Sequence, residues 1–299
     1  MNNIKRFIKP FTNFLGRNYT VPWVHFKYFI RLKRKLNLNK PKDLNEKILY
    51  LSLKTNTTKW SELTDKYLVR EYIKEKIGED KLVKLLGKWD NAEDIDFEKL
   101  PNKFVLKTNH GSGEIKIVKD KSKLNIPETI KYFNKEISHP YGETEGSPHY
   151  WRIKPLIIAE ELLENDPTST KFSSSIIDYK CWCFNGRCEY IWVCLNRTKN
   201  GTDVLLYDRE WNCLPQYSIF NSHYRKGIPI PKPKNLTEII ETSEALAKPF
   251  PVVRVDLYSI ANRIYFGEMT FTSLGGKMNF FTKEFLEKAG SMIDLNYKG

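Results

Sequence analysis

The sequence predicts an α+β protein. Three observations carry this. Apolar residues recur at helical spacing up to Gly78. From Phe104 onward β-branched and aromatic residues alternate in short runs. Tight turns such as Asn185-Gly186 join those runs as hairpins rather than through helices. A chain of 299 residues is long enough for one large domain or two modest ones. With 40% hydrophobic and 28% charged residues it has the composition of a folded protein, which excludes disordered and collagen-like classes. No apolar run approaches the ~20 residues of a membrane span.

The first segment is basic and aromatic. Ile4, Phe7, Ile8, Phe11, Phe14 and Leu15 share helical spacing with Lys5, Arg6 and Lys9 between them, and Pro10 is expected to break or kink that helix. A second helix, Trp23 to Leu36, ends in Arg31, Lys33, Arg34 and Lys35. There is no continuous apolar core and no small-residue cleavage site, so the segment does not read as a secretory signal. Two readings stand: a helix lying on an anionic membrane surface, or an arm packed on the body with its cations in water. The net charge of +13 asks for acidic partners, whether phosphates, acidic glycans or anionic headgroups. The five cysteines are an odd number without metal-site spacing; they read as reduced thiols in a cytoplasmic setting, with Cys181 and Cys183 as small buried residues on one face of a strand.

Next, Thr64 reads as the N-cap of a helix carrying Leu68, Tyr72 and Ile73 on its apolar face and ended by Gly78. Phe104-Val105-Leu106 is a strand that runs into Lys107-Thr108-Asn109-His110-Gly111-Ser112-Gly113, and Ile115 to Val118 resumes as its partner. A glycine-rich hairpin with a lysine at its entry suits anionic oxygens, because backbone N–H groups can approach closely and the lysine adds a point charge. A plain β-turn with a surface lysine explains the same residues. It is not a P-loop, since a strand follows and not a helix. Pro155 to Glu164 is a buried strand ending in Glu160 and Glu161, either a site or a solvated edge. Ser175 to Phe184 and Cys188 to Leu195 form a hairpin. Asp178 and Lys180 lie on one face of its first strand, where they pair with charges or serve a ligand.

The strongest signal is C-terminal. Val252 to Tyr258 and Arg263 to Phe271 form a hairpin with Arg254 and Asp256 on one face of the first strand, and Glu268 and Thr270 on one face of the second. Ser273-Leu274-Gly275-Gly276 follows. Hard oxygen ligands on neighbouring strands beside an arginine suit Mg²⁺ bridging phosphate oxygens. A buried Arg–Asp pair with a solvated glutamate is the structural alternative.

The order of these parts resembles the ATP-grasp superfamily, and within it the TupA-like branch found with capsular and teichuronic polysaccharide synthesis. The phrases that carry the resemblance are Leu63 to Tyr72, Phe104 to Gly113, Ile157 to Leu162, Asp178-Tyr179-Lys180 and Arg254 to Thr270. The Arg-Val-Asp…Glu-x-Thr tail is also similar to the Arg-Val-Asp…Glu-x-Asn tail of D-alanine–D-alanine ligases. The resemblance implies an ATP-grasp fold: a basic helical arm over 1–60, a subdomain with a glycine-rich lid over 61–160, and a subdomain with the Mg²⁺ site over 161–299, sandwiching ATP. It implies that Lys107 contacts the phosphates under a lid of Asn109, His110, Gly111, Ser112 and Gly113. Glu160, Glu161 and Leu162 would line the adenine edge and Glu164 the ribose. Asp256, Glu268 and Thr270 would hold Mg²⁺, with Thr270 standing where the superfamily usually has Asn. Arg254 and Lys180 would be catalytic, and Asp178 with Gly275 and Gly276 would face the acceptor.

The implied activity is an ATP-dependent carboxylate–amine ligase acting through an acylphosphate. It would join an amino acid or amine to a uronic-acid-containing capsular polysaccharide or its lipid-linked precursor, inside the cell or on the inner face of the plasma membrane. The competing readings are a nucleotide-sugar glycosyltransferase using Asp94-Ile95-Asp96 as its metal motif, a kinase on the same fold, and a non-enzymatic binder of anionic polymer or membrane. No nucleic-acid motif is visible, so nucleic acid is not an expected partner.

Overall fold

Alternating apolar residues commit the middle and the end of the chain to sheets, and amphipathic helices cover them. In the computed structural model, which describes residues 2–299 and side chains from Lys9 onward, the helices α1 (Asn2–Asn18), α2 (Thr20–Leu32), α3 (Leu44–Lys54), α4 (Thr58–Thr64) and α5 (Val69–Ile77) come first. Strands β1 (Leu85–Trp89), β2 (Phe104–Thr108) and β3 (Ile115–Val118) follow, then α6 (Ile126–Ile137), the short α7 (Pro148–Trp151) and β4 (Ile157–Glu161). The C-terminal part contains β5 (Asp178–Phe184), β6 (Arg187–Thr198), β7 (Gly201–Asp208), β8 (Tyr224–Lys226), α8 (Leu236–Ala247), β9 (Val252–Ile260), β10 (Arg263–Thr270) and α9 (Lys283–Ser291). The chain divides into two compact units. One holds the chain up to Val24, Thr57–Tyr72 and Val83–Leu163; the other holds His25–Asn56, Ile73–Leu82 and Glu164–Gly299.

The first unit is built on an antiparallel sheet in the order β1-β4-β2-β3. One face of it buries Phe104 and Leu106 of β2, Val118 of β3 and Ile157 and Ala159 of β4 against Phe133 of α6. Asn125 caps α6 by accepting from the Glu128 N–H at 3.1 Å, and Pro127 sits in the first turn, where its missing N–H costs nothing.

The second unit is built on a six-stranded sheet, β10-β9-β5-β6-β7-β8, antiparallel except for the β7–β8 pair. The β5–β9 pair alternates without a register shift. Val253, Val255 and Leu257 of β9 and Cys181 and Cys183 of β5 occupy one side, where α8 packs on β5, β6 and β9. The opposite side carries the charged residues described below. Asn185 and Gly186, with φ of 48° and 77°, close the β5–β6 hairpin, and Ala261 and Asn262, at 50° and 62°, close β9–β10. All five cysteines are free thiols, and Cys181, Cys183, Cys188 and Cys194 are buried.

Three local expectations change. α1 continues through Pro10, so the proline does not break the helix. Thr64 is the last residue of α4 rather than an N-cap; the cap is Asp65, whose Oδ1 accepts from the N–H groups of Tyr67 at 2.8 Å and Leu68 at 3.2 Å. β5 begins at Asp178 and not at Ser175, because Ser173 to Ser175 are tied into a turn by Asn165 and Asn196 side chains.

Candidate active site

In the first unit the register sets a charged face opposite the apolar core. Val105 of β2 is the partner of Glu160 in β4, and Lys107 is the partner of Ile158, so Lys107 and Glu160 project on the same side. The Lys107 Nζ stands 2.6 Å from Glu160 Oε2, and Arg70 of α5 reaches Glu160 Oε1 at 3.3 Å. One carboxylate, 10% exposed, therefore holds two cations side by side. Arg70 is a residue the sequence reading missed. Its signal was the spacing Asp65-Lys66-x-x-x-Arg70, which puts the arginine one turn beyond the cap. Glu161 points outward to Lys84 at 3.1 Å, and its N–H is taken by the Lys84 carbonyl. Leu162 is half-buried just past the strand, and Glu164 already belongs to the second unit.

The glycine-rich loop is anchored at its root and open at its tip. Asn109 is fully buried; its Nδ2 donates to Asp65 Oδ2 at 2.8 Å and to the Lys154 carbonyl at 3.0 Å, and its Oδ1 accepts from the Leu156 N–H at 2.8 Å. The side chain thus clamps the loop to the start of α5 and to the entry of β4. Burial raises the Asp65 carboxyl, against the pull of its hydrogen bonds to Tyr67, Leu68 and Asn109. His110 is buried too, and its Nε2 donates to the His139 carbonyl at 3.1 Å; burial keeps its imidazole below the ordinary range. Lys66 donates to the Gly111 carbonyl. Only Ser112 and Gly113 are exposed, with Gly113 at φ 99° and open space where a Cβ would stand. Of the five residues grouped as a lid in the sequence, two are at the surface.

In the second unit β5, β9 and β10 bring the C-terminal constellation together. Lys180 is the partner of Asp256 in β9, and Asp256 is the partner of Glu268 in β10. The second pairing depends on a bulge: the register shifts between Phe266 and Glu268, and Gly267 takes the extra place. A Cβ on Gly267 would lie 2.9 Å from the Asp256 carbonyl oxygen, so the close approach needs glycine. Arg254 is the hub. Its Nε and one terminal nitrogen grip Asp256 at 2.6 and 2.7 Å, and it also donates to Glu268 at 3.1 Å, Thr270 at 3.0 Å and Ser273 at 2.8 Å. Lys180 bonds Asp256 and lies 2.8 Å from Asp178, which is held in turn by Arg197 at 2.7 Å.

Three carboxylates are thereby matched by three cations. Burial alone would raise Asp256, yet Arg254 and Lys180 hold it down at about 2. Burial alone would lower Lys180, yet Asp178 and Asp256 raise it well above its ordinary value. Asp178 Oδ1 is buried without a hydrogen-bond partner, an acceptor left open inside the cluster. The turn after β10 places Leu274, Gly275 and Gly276 at φ of 51°, 62° and 66°, and a Cβ on Gly276 would clash with Leu49 at 2.7 Å. Gly275 accepts the ammonium of the buried Lys277 at 2.6 Å. Arg197 and Ser273 are the residues missed here. Arg197 lies at the far end of β6, three residues past Cys194, the register partner of Asp178, and only its side chain reaches that carboxylate.

The Asp94-Ile95-Asp96 triplet is not a comparable site. Ile95 is in the core, Asp94 sits in a surface turn, and Asp96 pairs with Lys99 at 2.9 Å.

Two α+β units, one with a four-stranded sheet and a glycine-rich hairpin, the other with an Arg-Asp-Glu face on antiparallel strands, define the ATP-grasp class. The structure is similar to a D-alanine–D-alanine ligase from Bacillus anthracis, with a TM-score of 0.50 and 15% identity over 84% of this chain and 72% of that one. The ligase from Coxiella burnetii gives a TM-score of 0.44 at 12% identity, over 86% of this chain and 62% of that one, so this chain spans less than two-thirds of it. No curated protein sequence is significantly similar. The TupA-like ATP-grasp family model matches residues 46–294, and the chain belongs to that family.

Proposed function

We propose that the chain is an ATP-dependent carboxylate–amine ligase that works through an acylphosphate. The observation that supports this most directly is the face on β5, β9 and β10 where Arg254 and Lys180 are set against Asp256 and Glu268. No Ser or Cys nucleophile is called for. The acceptor carboxylate attacks the γ-phosphorus of ATP, the bond to the bridging oxygen breaks, and ADP leaves. The amine nitrogen then attacks the acyl carbon, the bond to the phosphate oxygen breaks, and nitrogen gives up a proton. Both steps spread negative charge over oxygens, so fixed cations stabilise them without reorganising. In this reading Arg254 faces the transferred phosphoryl group, Lys180 the acceptor or phosphate, and Lys107 with Arg70 the nucleotide phosphates; Ser112 and Gly113 cover them. Asn109 and Asp65 position that loop.

Asp256 and Glu268 fit Mg²⁺ as a pair, because the ion takes one or two carboxylates and completes its shell with phosphate oxygens and water. Among the described residues no three His, Cys, Asp or Glu side chains form a metal cluster without such help. Bound there, Mg²⁺ would neutralise phosphate charge. Thr270 donates to Glu268 at 3.1 Å and so orients that carboxylate. The acceptor is a uronic acid of a capsular or related polysaccharide, or of its precursor, and the amine an amino acid or a simple amine; the basic charge of the chain suits an acidic glycan.

Calorimetric titration with Mg-ATP, set beside a panel of nucleotide sugars, tests the nucleotide. Lys107→Ala and Glu268→Gln should each weaken Mg-ATP binding. Incubation with ATP, uronic acids and hydroxylamine should yield a hydroxamate, the mark of an acylphosphate. A stable phosphorylated sugar with no hydroxamate would make the enzyme a kinase. Heat from a nucleotide sugar with none from ATP would make it a glycosyltransferase.

A further inference from the structure

The N-terminal helices carry a feature that the ligase reading does not use. Before Asp43 the sequence has eleven Lys and Arg and no Asp or Glu, so eleven of the thirteen net charges fall in the first 42 residues. Within α2 the residues sort by face. Val24 and Tyr28 are fully buried. On the opposite side Phe26, Phe29 and Ile30 are 54%, 50% and 50% exposed, at the i, i+3, i+4 spacing of one stripe. Arg31, Lys33 and Lys35, all exposed, follow at once. α1 repeats the composition: Phe11 and Phe14 are 62% and 53% exposed. Large aromatic side chains with half or more of their surface exposed mark an interaction surface.

We propose that the outer face of α2, with the basic run that follows it, docks on an anionic phospholipid bilayer. Charge decides the occupant. An apolar stripe bordered by cations with no acidic residue matches a negatively charged headgroup layer above hydrocarbon, into which aromatic rings insert shallowly. A second copy of the same face would instead bring like charges together. No helix among the described residues is long and apolar enough to cross a membrane, so the geometry is that of a helix lying in the interface.

The test is co-sedimentation of the full chain with vesicles of phosphatidylcholine alone or with phosphatidylglycerol. Binding should require the anionic lipid and fall steeply in high salt. Arg31→Gln, Lys33→Gln and Lys35→Gln combined should weaken it about a hundredfold, at roughly fivefold per cation. Phe26→Ser with Phe29→Ser should abolish it. Mg-ATP titration and the melting curve of each variant should match the parent, which separates loss of docking from loss of fold. Equal binding to neutral vesicles, or none to either, overturns the proposal. So does a dimer in sedimentation equilibrium that Phe26→Ser dissociates. The outcome is independent of whether the enzyme is a ligase.

Discussion

Arg254 places five hydrogen bonds on four side chains from one buried guanidinium. Its planar fork is what allows this, and lysine has no equivalent geometry. Arg254→Lys should therefore lose both structure and function: about 3 kcal/mol of stability, from leaving Asp256 and Glu268 incompletely paired, and on the order of 10²- to 10³-fold in turnover. Urea denaturation and steady-state ADP release would read the two separately. Glu160 plays the matching part in the first unit, between Lys107 and Arg70. Glu160→Gln leaves two adjacent cations without their shared anion. It should cost about 2 kcal/mol in urea unfolding. Lys107 and Glu160 were both legible in the sequence as chemistry-bearing residues, but their pairing was not, because it depends on which residues of β2 and β4 face each other.

At the scale of elements, the β9–β10 hairpin shows how one backbone irregularity builds a site. Without the bulge at Gly267, strict alternation would turn Glu268 away from Asp256. Gly267→Ala pushes a methyl group against the Asp256 carbonyl. It should lower Mg-ATP affinity about tenfold while costing about 1–2 kcal/mol of stability; calorimetry beside thermal melting separates the two. Unchanged affinity would mean that the bulge is structural only. The hairpins themselves were readable from Asn185-Gly186 and Ala261-Asn262. Helix caps were less so: α4 and α5 meet at Asp65, and a sequence that offers Thr64 and Asp65 in succession does not say which side chain turns toward the free N–H groups.

For the whole molecule, buried histidines set the response to acid. His149 is fully buried, in edge contact with Trp60, and burial followed by the charge of Arg152 holds it at about 3, against 6.5 in an unfolded chain. Between these values the unfolded state binds the proton and the folded state does not. Stability therefore falls as pH drops below 6.5, by up to about 1.4 kcal/mol per pH unit from this residue, and His110 acts in the same direction. Asp256 contributes in its own window, from 3.8 down to about 2, where its protonation releases Arg254 and Lys180. Melting temperatures should be level above pH 7 and decline from about pH 6.5. His149→Phe should flatten the upper part of that decline; an unaltered slope would assign it to other groups.

The sequence by itself determined the class of structure and the order of its parts, since periodicity, glycine turns and the Arg-Val-Asp…Glu-x-Thr phrase are local in the chain. It also named most of the charged residues, because a charge placed in an alternating apolar strand is conspicuous. Tertiary structure alone decided which of those charges meet. Arg197 finds Asp178, Arg70 finds Glu160 and Asn109 finds Asp65 through strand register and packing between segments 19 to 90 residues apart. Register is set by the summed burial of whole faces and not by any residue in the pair. The same balance decided that Asn109 and His110 lie buried beneath the loop tip while Phe26, Phe29 and Ile30 stay half exposed.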